Sequence, residues 1–188
     1  ASPYGIRTGT QVGAAKRSCS GLVIVEARHE LYIEFHHAIM AAVESTLHVE
    51  VVHSIDEMSC RLMGAEREPR RAMEIAASVK ASIRRAIGEY VRCSIGIAPN
   101  RVLSKVASDM QKPDGLVVIR EEELPQRLYG LQLTDLPGIG HRMNQRLGQH
   151  GITTVKQLCD LSEDGLRTIW GSVIGNQWWH WLRGHDLP

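Results

Sequence analysis

Two adjacent carboxylates, Asp56 and Glu57, are the first residues whose types suggest chemistry. They follow a run of β-branched residues, so we expect them at the end of a strand or in the turn after it. Two ionised neighbours repel each other, and a divalent cation such as Mg²⁺ removes that repulsion because it prefers carboxylate oxygens. When the dipeptide is taken alone, two exposed carboxylates in a hairpin turn are the simpler interpretation.

A set of three cations between positions 101 and 112 forms a second candidate site. Arg101 and Lys105 are four residues apart on a predicted helix, and Lys112 lies eleven residues from Arg101, close to three full turns. Such an edge can hold the phosphates of a nucleotide by charge. A solvated cationic face is the alternative interpretation, and the chain has no Gly-x-x-x-x-Gly-Lys-Ser/Thr run that would form a P-loop.

A third motif occupies residues 136–140, where proline and glycine predict a tight turn between two short helices. The glycines let main-chain amides approach a phosphate without a side chain in the way, and the next helix adds its positive N-terminal end. The spacing favours contact with the DNA backbone, independent of base sequence, over a turn needed only for packing. The residues that we expect to make this contact are Pro137, Gly138, Ile139, Gly140, Arg142 and Arg146.

Composition narrows the class of protein. The 188 residues are 43% hydrophobic, which is enough for one ordinary domain or two small ones with a core. Lys and Arg number 22 against 21 Asp and Glu, so the net charge of +1 gives no overall field to attract nucleic acid or an anionic membrane. No apolar run approaches the roughly 20 residues that span a bilayer. We therefore expect no membrane partner, and any contact with nucleic acid must come from local clusters.

Cysteine, histidine and tryptophan give weaker signals. The four cysteines are widely spread without the spacing of a zinc site, and we interpret them as reduced, partly buried thiols of a cytosolic protein. The nine histidines form no recognisable ligand set. The tryptophans crowd the end of the chain, where stacking on bases is conceivable but packing of a helical core is the prediction. These tryptophans are Trp170, Trp178, Trp179 and Trp181.

Apolar periodicity predicts the elements that must position these motifs. The order of elements, β-α-β-α-β, corresponds to a split βαβ, ferredoxin-like sheet with one strand absent at its start, followed by small helices from about residue 131. The predicted helices span residues 32–47, 66–87, 100–110 and 121–129, the predicted hairpin spans 49–63, and the predicted strands span 91–97 and 116–119.

Taken in this order, the motifs resemble those of the Y-family (translesion, UmuC/DinB-like) DNA polymerases over nearly the whole chain. Residues 54–57 resemble the palm signature, residues 94–116 the second block of the palm, and residues 136–140 the thumb hairpin. Residues 5–9 also resemble the end of the fingers, and residues 184–186 the exit of the thumb. The resemblance implies an α+β fold, with a ferredoxin-like palm lacking its first strand and a small all-helical thumb that contains a helix-hairpin-helix.

The resemblance also implies three segments. Residues 1–48 would be a remnant of the fingers with a connecting helix, residues 49–130 the palm, and residues 131–188 the helical thumb. The implied enzyme is a nucleotidyltransferase that adds a dNTP to a primer 3′-hydroxyl on damaged DNA. Its implied partners are primer–template DNA, a dNTP and a sliding clamp or accessory protein, in the bacterial cytoplasm at the nucleoid.

Roles follow from the same resemblance. Asp56 and Glu57 would supply two of three carboxylates for two Mg²⁺ ions, one of which lowers the pKa of the primer hydroxyl while the other steadies the leaving pyrophosphate. Lys105 would support this acidic site. Lys112 and Arg101 would bind the incoming triphosphate.

The chain departs from the family pattern at several positions. Ser2 stands where many relatives have a triphosphate-binding arginine, and Ser59 and Arg61 replace the usual Phe and Asp after the acidic pair. The first metal-binding Asp and the sugar-gating aromatic residue of the family would lie on a strand before Ala1. We therefore expect a fragment that extends primers negligibly by itself.

Two alternatives remain open. The first is a non-catalytic relative that keeps the fold and binds DNA or polymerase partners, which Ser2 and Arg61 favour. The second is a helix-hairpin-helix DNA-binding module of another repair protein, such as a nuclease or recombination factor. That module leaves the acidic and lysine motifs unexplained.

Overall fold

The structure is a computed structural model that describes residues 2–187. It forms two compact units, of which the first ends at Glu34 and the second begins at Phe35. The expectations about a strand before Ala1 and about the side chain of Ser2 lie outside the described residues. The helices and strands, in chain order, are α1 (Val12–Ser18), α2 (His29–Glu44), β1 (Val49–Val52), β2 (Met58–Cys60), α3 (Pro69–Ile87), β3 (Ile95–Ile97), α4 (Arg101–Met110), β4 (Leu116–Val118), α5 (His141–Gln149), α6 (Val155–Cys159), α7 (Glu163–Trp170) and α8 (Ile174–Trp181).

The strands confirm the predicted α+β class, but they pair in two separate places. β1 and β2 form an antiparallel hairpin with Val52 opposite Met58, and β3 and β4 form a parallel pair connected through α4. Within residues 2–187 these are two two-stranded sheets and not one continuous sheet. The predicted strand over 91–97 is shortened to Ile95–Ile97, the three residues that pair with Leu116–Val118 of β4.

Helix α3 is defined at both ends by its sequence. Pro69 occupies the first position, where its missing amide hydrogen is not needed, and the Glu68 carboxylate accepts hydrogen bonds from the next two free amides. Gly88 follows the helix with φ +116°, a conformation that favours glycine. The helix therefore begins at residue 69 and not at the predicted residue 66, since Gly64–Arg67 forms a separate 3-10 turn.

Helix α4 packs closely against β3. The Asn100 side chain caps the helix by accepting the amide of Leu103 over 2.9 Å. Gly96 on β3 has no side chain, and a Cβ at that position would lie 2.0 Å from the main-chain oxygen of Ser104. Only glycine permits this approach of helix to strand, which fixes where Lys105 lies.

The second half of the chain is helical, as predicted, with one correction. Residues 121–129 form two 3-10 turns, Glu121–Glu123 and Gln126–Leu128, and not a short α-helix, because Pro125 cannot donate a helical hydrogen bond. The largest core cluster joins α4 to α5–α8, and a smaller one joins α2, β1 and α3. Trp178 is buried in the larger cluster and the other three tryptophans pack against it, which confirms the predicted core role.

The four cysteines are free, and three are half-buried while Cys159 is buried, in agreement with the sequence interpretation. Burial raises the pKa of the Cys159 thiol to about 11. Among the described helices, none combines the length and the apolar character needed to cross a lipid bilayer.

Candidate functional site

The acidic pair lies in the turn between β1 and β2. The amides of His53 and Ser54 both donate to the carbonyl of Glu57, at 2.8 and 3.1 Å, and so close the turn. The Ser54 hydroxyl donates to Oδ1 of Asp56 over 2.7 Å. Asp56 is exposed and Glu57 is half-buried, so both carboxylates remain accessible to a ligand from solvent.

A histidine on α2 makes a hydrogen bond to the main chain of this turn. Nδ1 of His36 lies 2.8 Å from the carbonyl oxygen of Ile55, and since a carbonyl only accepts, Nδ1 carries the hydrogen. Ile55 immediately precedes Asp56. The contact therefore fixes the main chain one residue before the acidic pair, and nothing in the sequence indicated it.

Lys105 brings the acidic motif and the cationic motif together. Its ammonium forms an ion pair with Glu57 and lies 3.2 Å from Oδ2 of Asp109, one helical turn later on α4. Partial burial lowers the pKa of Lys105, but the hydrogen bonds and charges of the two carboxylates outweigh that effect, so the pKa is raised. Lys105 is therefore a stable cation beside the acidic turn.

Asp109 links Lys105 to Lys112. Nζ of Lys112 lies 2.6 Å from Oδ1 of Asp109, so the carboxylate is shared between two ammonium groups. Partial burial raises the pKa of Asp109, but the bonds from Lys112 and Lys105 outweigh it and lower the pKa overall. Sequence reasoning missed Asp109, although its spacings of four residues from Lys105 and three from Lys112 are those of helical ion pairs.

The resulting acid–lysine network consists of Glu57, Lys105, Asp109 and Lys112. The structure places Asp56 beside it in the turn. It does not bring Arg101 into the network, because Arg101 is exposed at the first residue of α4, one turn before Lys105.

The predicted helix-hairpin-helix turn has the backbone that its glycines suggested. Gly138 has φ +90°, and the amide of Ile139 donates to the carbonyl of Leu136 over 3.0 Å. Ile139 is buried and its amide is used inside the turn, while Gly140 is exposed and precedes α5 without a side-chain cap. Pro137 is half-buried beside them. The turn thus presents main-chain groups next to the N-terminus of α5.

The two arginines of this motif have different environments. Arg142 is exposed in the first turn of α5. Nη1 of Arg146 lies 3.4 Å from the carbonyl oxygens of Ile169 and Trp170, at the C-terminal end of α7, where a cation is favourable. Arg146 therefore stabilises the end of α7, and its predicted contact with the DNA backbone beside Arg142 stays a prediction.

Two further sets of contacts connect the hairpin and α4 to the end of α8 and the residues after it. The Arg61 guanidinium lies 2.7 Å from Glu50 and 2.6 Å from Asp186, and both carboxylates raise its pKa. The buried side-chain amide of Asn100 donates to the carbonyls of Trp181 and His185, at 2.9 and 3.1 Å. The sequence showed Arg61 only as a departure from a pattern and gave no signal for its partner.

The acidic turn offers donors that suit a hard divalent cation. Carboxylate oxygens are the preferred ligands of such ions, and Glu57 already faces a cationic group, so the position accommodates positive charge. Within residues 2–187, however, no cluster of three or more Asp, Glu, His or Cys side chains is arranged to hold a metal. The pair therefore fits as two ligands of an ion that takes its remaining ligands from elsewhere.

Comparison with known proteins gives two matches along the chain. Residues 1–109 match the impB/mucB/samB family, and residues 134–186 match the thumb domain of DNA polymerase iota. The chain is 33% identical to DNA polymerase IV of Moorella thermoacetica over 183 residues, which cover 97% of this chain and 45% of that protein. It is 29% identical to DNA polymerase IV 2 of Bacillus subtilis, over 99% of this chain and 45% of that protein.

Solved structures agree with these matches. An insertion ternary complex of Dbh DNA polymerase superposes with a TM-score of 0.82 at 25% identity, over 100% of this chain and 54% of that one. The crystal structure of DinB from Sulfolobus solfataricus gives a TM-score of 0.82 at 26% identity, over 100% and 55%. The chain thus spans about half the length of the proteins it matches.

Proposed function

We propose that this chain, which belongs to the Y family of DNA polymerases, forms the palm and thumb of an enzyme that copies DNA past damaged template bases. In this proposal residues 49–130 are the palm and residues 131–188 the thumb, with the end of the fingers and a connecting helix in residues 1–48. The family matches to residues 1–109 and 134–186 support this division. The change from mixed structure to helices alone after β4 supports it as well.

The acid–lysine network is the observation that carries the proposal. It joins the acidic turn to two lysines that lie far from it in sequence, as a site for a metal-bound triphosphate requires. We assign Asp56 and Glu57 as ligands of Mg²⁺. When bound, two such ions would activate the primer 3′-hydroxyl and neutralise the charge of the leaving pyrophosphate.

The lysines have separate roles in this proposal. Lys105 holds the Glu57 carboxylate in place and balances its charge before a metal arrives. Lys112 is 56% exposed and is held by Asp109 alone among the acidic groups described, so its ammonium can turn to a phosphate oxygen. Arg101, at the start of the same helix, is an additional exposed phosphate contact.

The thumb turn is the proposed contact to the DNA backbone. Gly138 and Gly140 leave the main-chain amides uncovered, and α5 adds the positive end of its dipole. Pro137 and Ile139 shape this turn, and Arg142 extends it with an exposed charge. Arg146 contributes indirectly, because it orders α5 against the end of α7.

Primer–template binding by the chain tests the proposal. The dissociation constant of a labelled, dideoxy-terminated primer–template is measured with Mg²⁺ and either the complementary or a non-complementary dNTP. We expect the complementary dNTP, but not the non-complementary one, to strengthen binding of the primer–template. The Asp56→Asn variant should lose this effect. Glu50→Gln is the matched control, since Glu50 lies on the same hairpin but pairs with Arg61. Equal binding with both nucleotides would contradict the polymerase function.

A non-catalytic Y-family scaffold is the second candidate, and one observation favours it. Arg61 forms two ion pairs, to Glu50 and Asp186, which is a structural use of a position where the family pattern has an acidic residue. DNA binding without any effect of the complementary dNTP would favour this scaffold. A sliding clamp or accessory protein, and a cytoplasmic location at the nucleoid, stay predictions.

A further inference from the structure

Lys80 on α3 is a half-buried cation that the motifs above do not include. Its Nζ donates to the carbonyl oxygens of Cys93, Asp114 and Gly115, at 2.8, 2.7 and 3.0 Å. It also lies 2.7 Å from Oδ1 of Asp114. An ammonium has three hydrogens to donate, so every donor of Lys80 is used inside the protein. Its side chain is only 18% exposed, which leaves it no role as a contact to a ligand.

Two of the three carbonyls that Lys80 binds, those of Asp114 and Gly115, belong to the turn that carries Lys112. This turn connects α4 to β4 and has an unusual backbone, because Asp114 is the one non-glycine residue with positive φ, at 63°, among those the structure describes. Gly115 follows, and a Cβ there would lie 1.9 Å from the carbonyl oxygen of Gln111. A turn with such constraints needs external partners to hold it.

Ser94, the residue before β3, also holds this turn. The Ser94 hydroxyl donates to the carbonyl of Gln111 over 3.1 Å and accepts the amide of Gly115 over 3.1 Å. The hydrogen bond from Lys80 lowers the pKa of Asp114, although partial burial opposes this, and the charges of Arg84 and Arg92 act in the same direction as Lys80. Asp114 therefore stays ionised and keeps its contact with Lys80 at neutral pH.

We propose that Lys80 is a positioning residue for the nucleotide: it fixes the end of the turn so that Lys112 faces the triphosphate. Lys112 is then held at two points, its ammonium by Asp109 on α4 and its main chain through the residues that Lys80 binds. This inference rests on the proposed function, because it assigns Lys80 to the same nucleotide site. Lys80 acts through Lys112 and not on the substrate.

If Lys80 only stabilised the fold, the results would differ. The Lys80→Met variant would then be less stable and would bind DNA and nucleotide more weakly to the same extent. A positioning role changes nucleotide binding selectively, leaves duplex binding through residues 136–142 unchanged, and disappears once Lys112 has been removed.

The experiment is a double-mutant cycle on the chain bound to a dideoxy-terminated primer–template. The dissociation constant of the complementary dNTP with Mg²⁺ is measured for wild type, Lys80→Met, Lys112→Ala and the double variant. We expect each single variant to weaken nucleotide binding about 10- to 150-fold, the loss typical of one charge-assisted hydrogen bond, and the double variant to be no weaker than Lys112→Ala. Lys80→Arg keeps the charge and donors, so it should restore part of the affinity.

Two further variants complete the design. Arg85→Met is the matched control, because it removes an exposed cation from the last turn of the same helix and should leave nucleotide binding unchanged. Asp114→Asn removes the negative charge that pairs with Lys80 while tolerating the positive φ, and it replaces Lys80→Met if that variant does not fold. It should weaken nucleotide binding in the same direction.

Each outcome is decisive. Additive losses in the double variant, or a Lys80→Met protein and an Asp114→Asn protein with wild-type nucleotide affinity, overturn the positioning role while the proposed function stands. No effect of Lys112→Ala, or no nucleotide binding by wild type, overturns the nucleotide site itself and the role of Lys80 with it.

Discussion

The ammonium of Lys105 forms an ion pair with the carboxylate of Glu57, although the two residues are 48 positions apart. This pair connects α4 with the turn between β1 and β2. Asp109 extends the connection to Lys112, so one acidic residue and two lysines lie next to the acidic turn. The network makes predictions about stability that are independent of catalysis.

Asp109→Asn should weaken the dependence of stability on acid pH. The folded chain lowers the pKa of Asp109, so the unfolded chain binds this proton more readily, and the stabilisation falls as pH decreases below the ordinary value of 3.8. In the variant, which has no carboxylate at this position, the melting temperature should fall less between about pH 6 and pH 3. Thermal melts monitored by circular dichroism at each pH measure this fall in melting temperature.

Asp160→Asn serves as the control for that experiment. Asp160 forms an ion pair with one exposed lysine, Lys156, which lies four residues before it. We expect Asp160→Asn to change the dependence of melting temperature on pH less than Asp109→Asn does, because a single exposed ion pair contributes little to stability. An unchanged pH dependence in the Asp109 variant would mean that the network does not stabilise the fold.

Gly138→Ala should destabilise the thumb turn and weaken binding to duplex DNA. The backbone has φ +90° there, which an L-residue adopts at a cost of about 1 to 2 kcal/mol. Chemical denaturation and fluorescence anisotropy with a labelled duplex at several salt concentrations measure the two effects. Gly148→Ala, in open space within α5, is the matched control and should stabilise the protein by up to about 1 kcal/mol without weakening DNA binding.

Asn100→Ala should lower the free energy of unfolding by about 2 to 4 kcal/mol, since it removes a helix cap and leaves two carbonyls without their donor. Ser162→Ala is the comparison, because Ser162 caps α7 through the amide of Gly165. It should cost only about 1 kcal/mol. Equal losses in urea denaturation would show that the contacts of Asn100 beyond the cap contribute nothing.

The chain alone should extend primers negligibly. Asp56 and Glu57 are two carboxylates, and no third group joins them in a metal cluster among residues 2–187. A two-metal displacement needs more ligands than this pair supplies. Gel electrophoresis of a labelled primer–template with Mg²⁺ and all four dNTPs measures extension, and templated products from the purified chain would refute the prediction.

The sequence predicted the elements and the site motifs because those signals are local. Apolar periodicity, Gly88 and the cap at Asn100 mark helix ends within a few residues, and the glycines at 138 and 140 mark a turn. The order of these motifs along the chain indicated the family. The helix predicted over residues 121–129 was nevertheless wrong. The periodicity there resembled that of a helix, but Pro125 interrupts it.

Long-range contacts were not predictable from the same signals. Lys80 reaches carbonyls that lie 13, 34 and 35 residues away, and a carbonyl leaves no mark in a sequence because every residue has one. His36 and Arg61 meet their partners only after the chain has folded. Asp109 differs from these, since its helical spacing to both lysines was visible and was overlooked.

The contacts of Asn100 at the junction between α4 and the end of α8 tolerate changes of residue type but not changes of chain length. Its partners are main-chain oxygens of Trp181 and His185, so substitutions at those two positions leave the acceptors unchanged. An insertion or deletion between them would shift one acceptor away from the amide. We therefore expect this contact to survive substitutions at 181 and 185 as long as the four-residue step between them is kept.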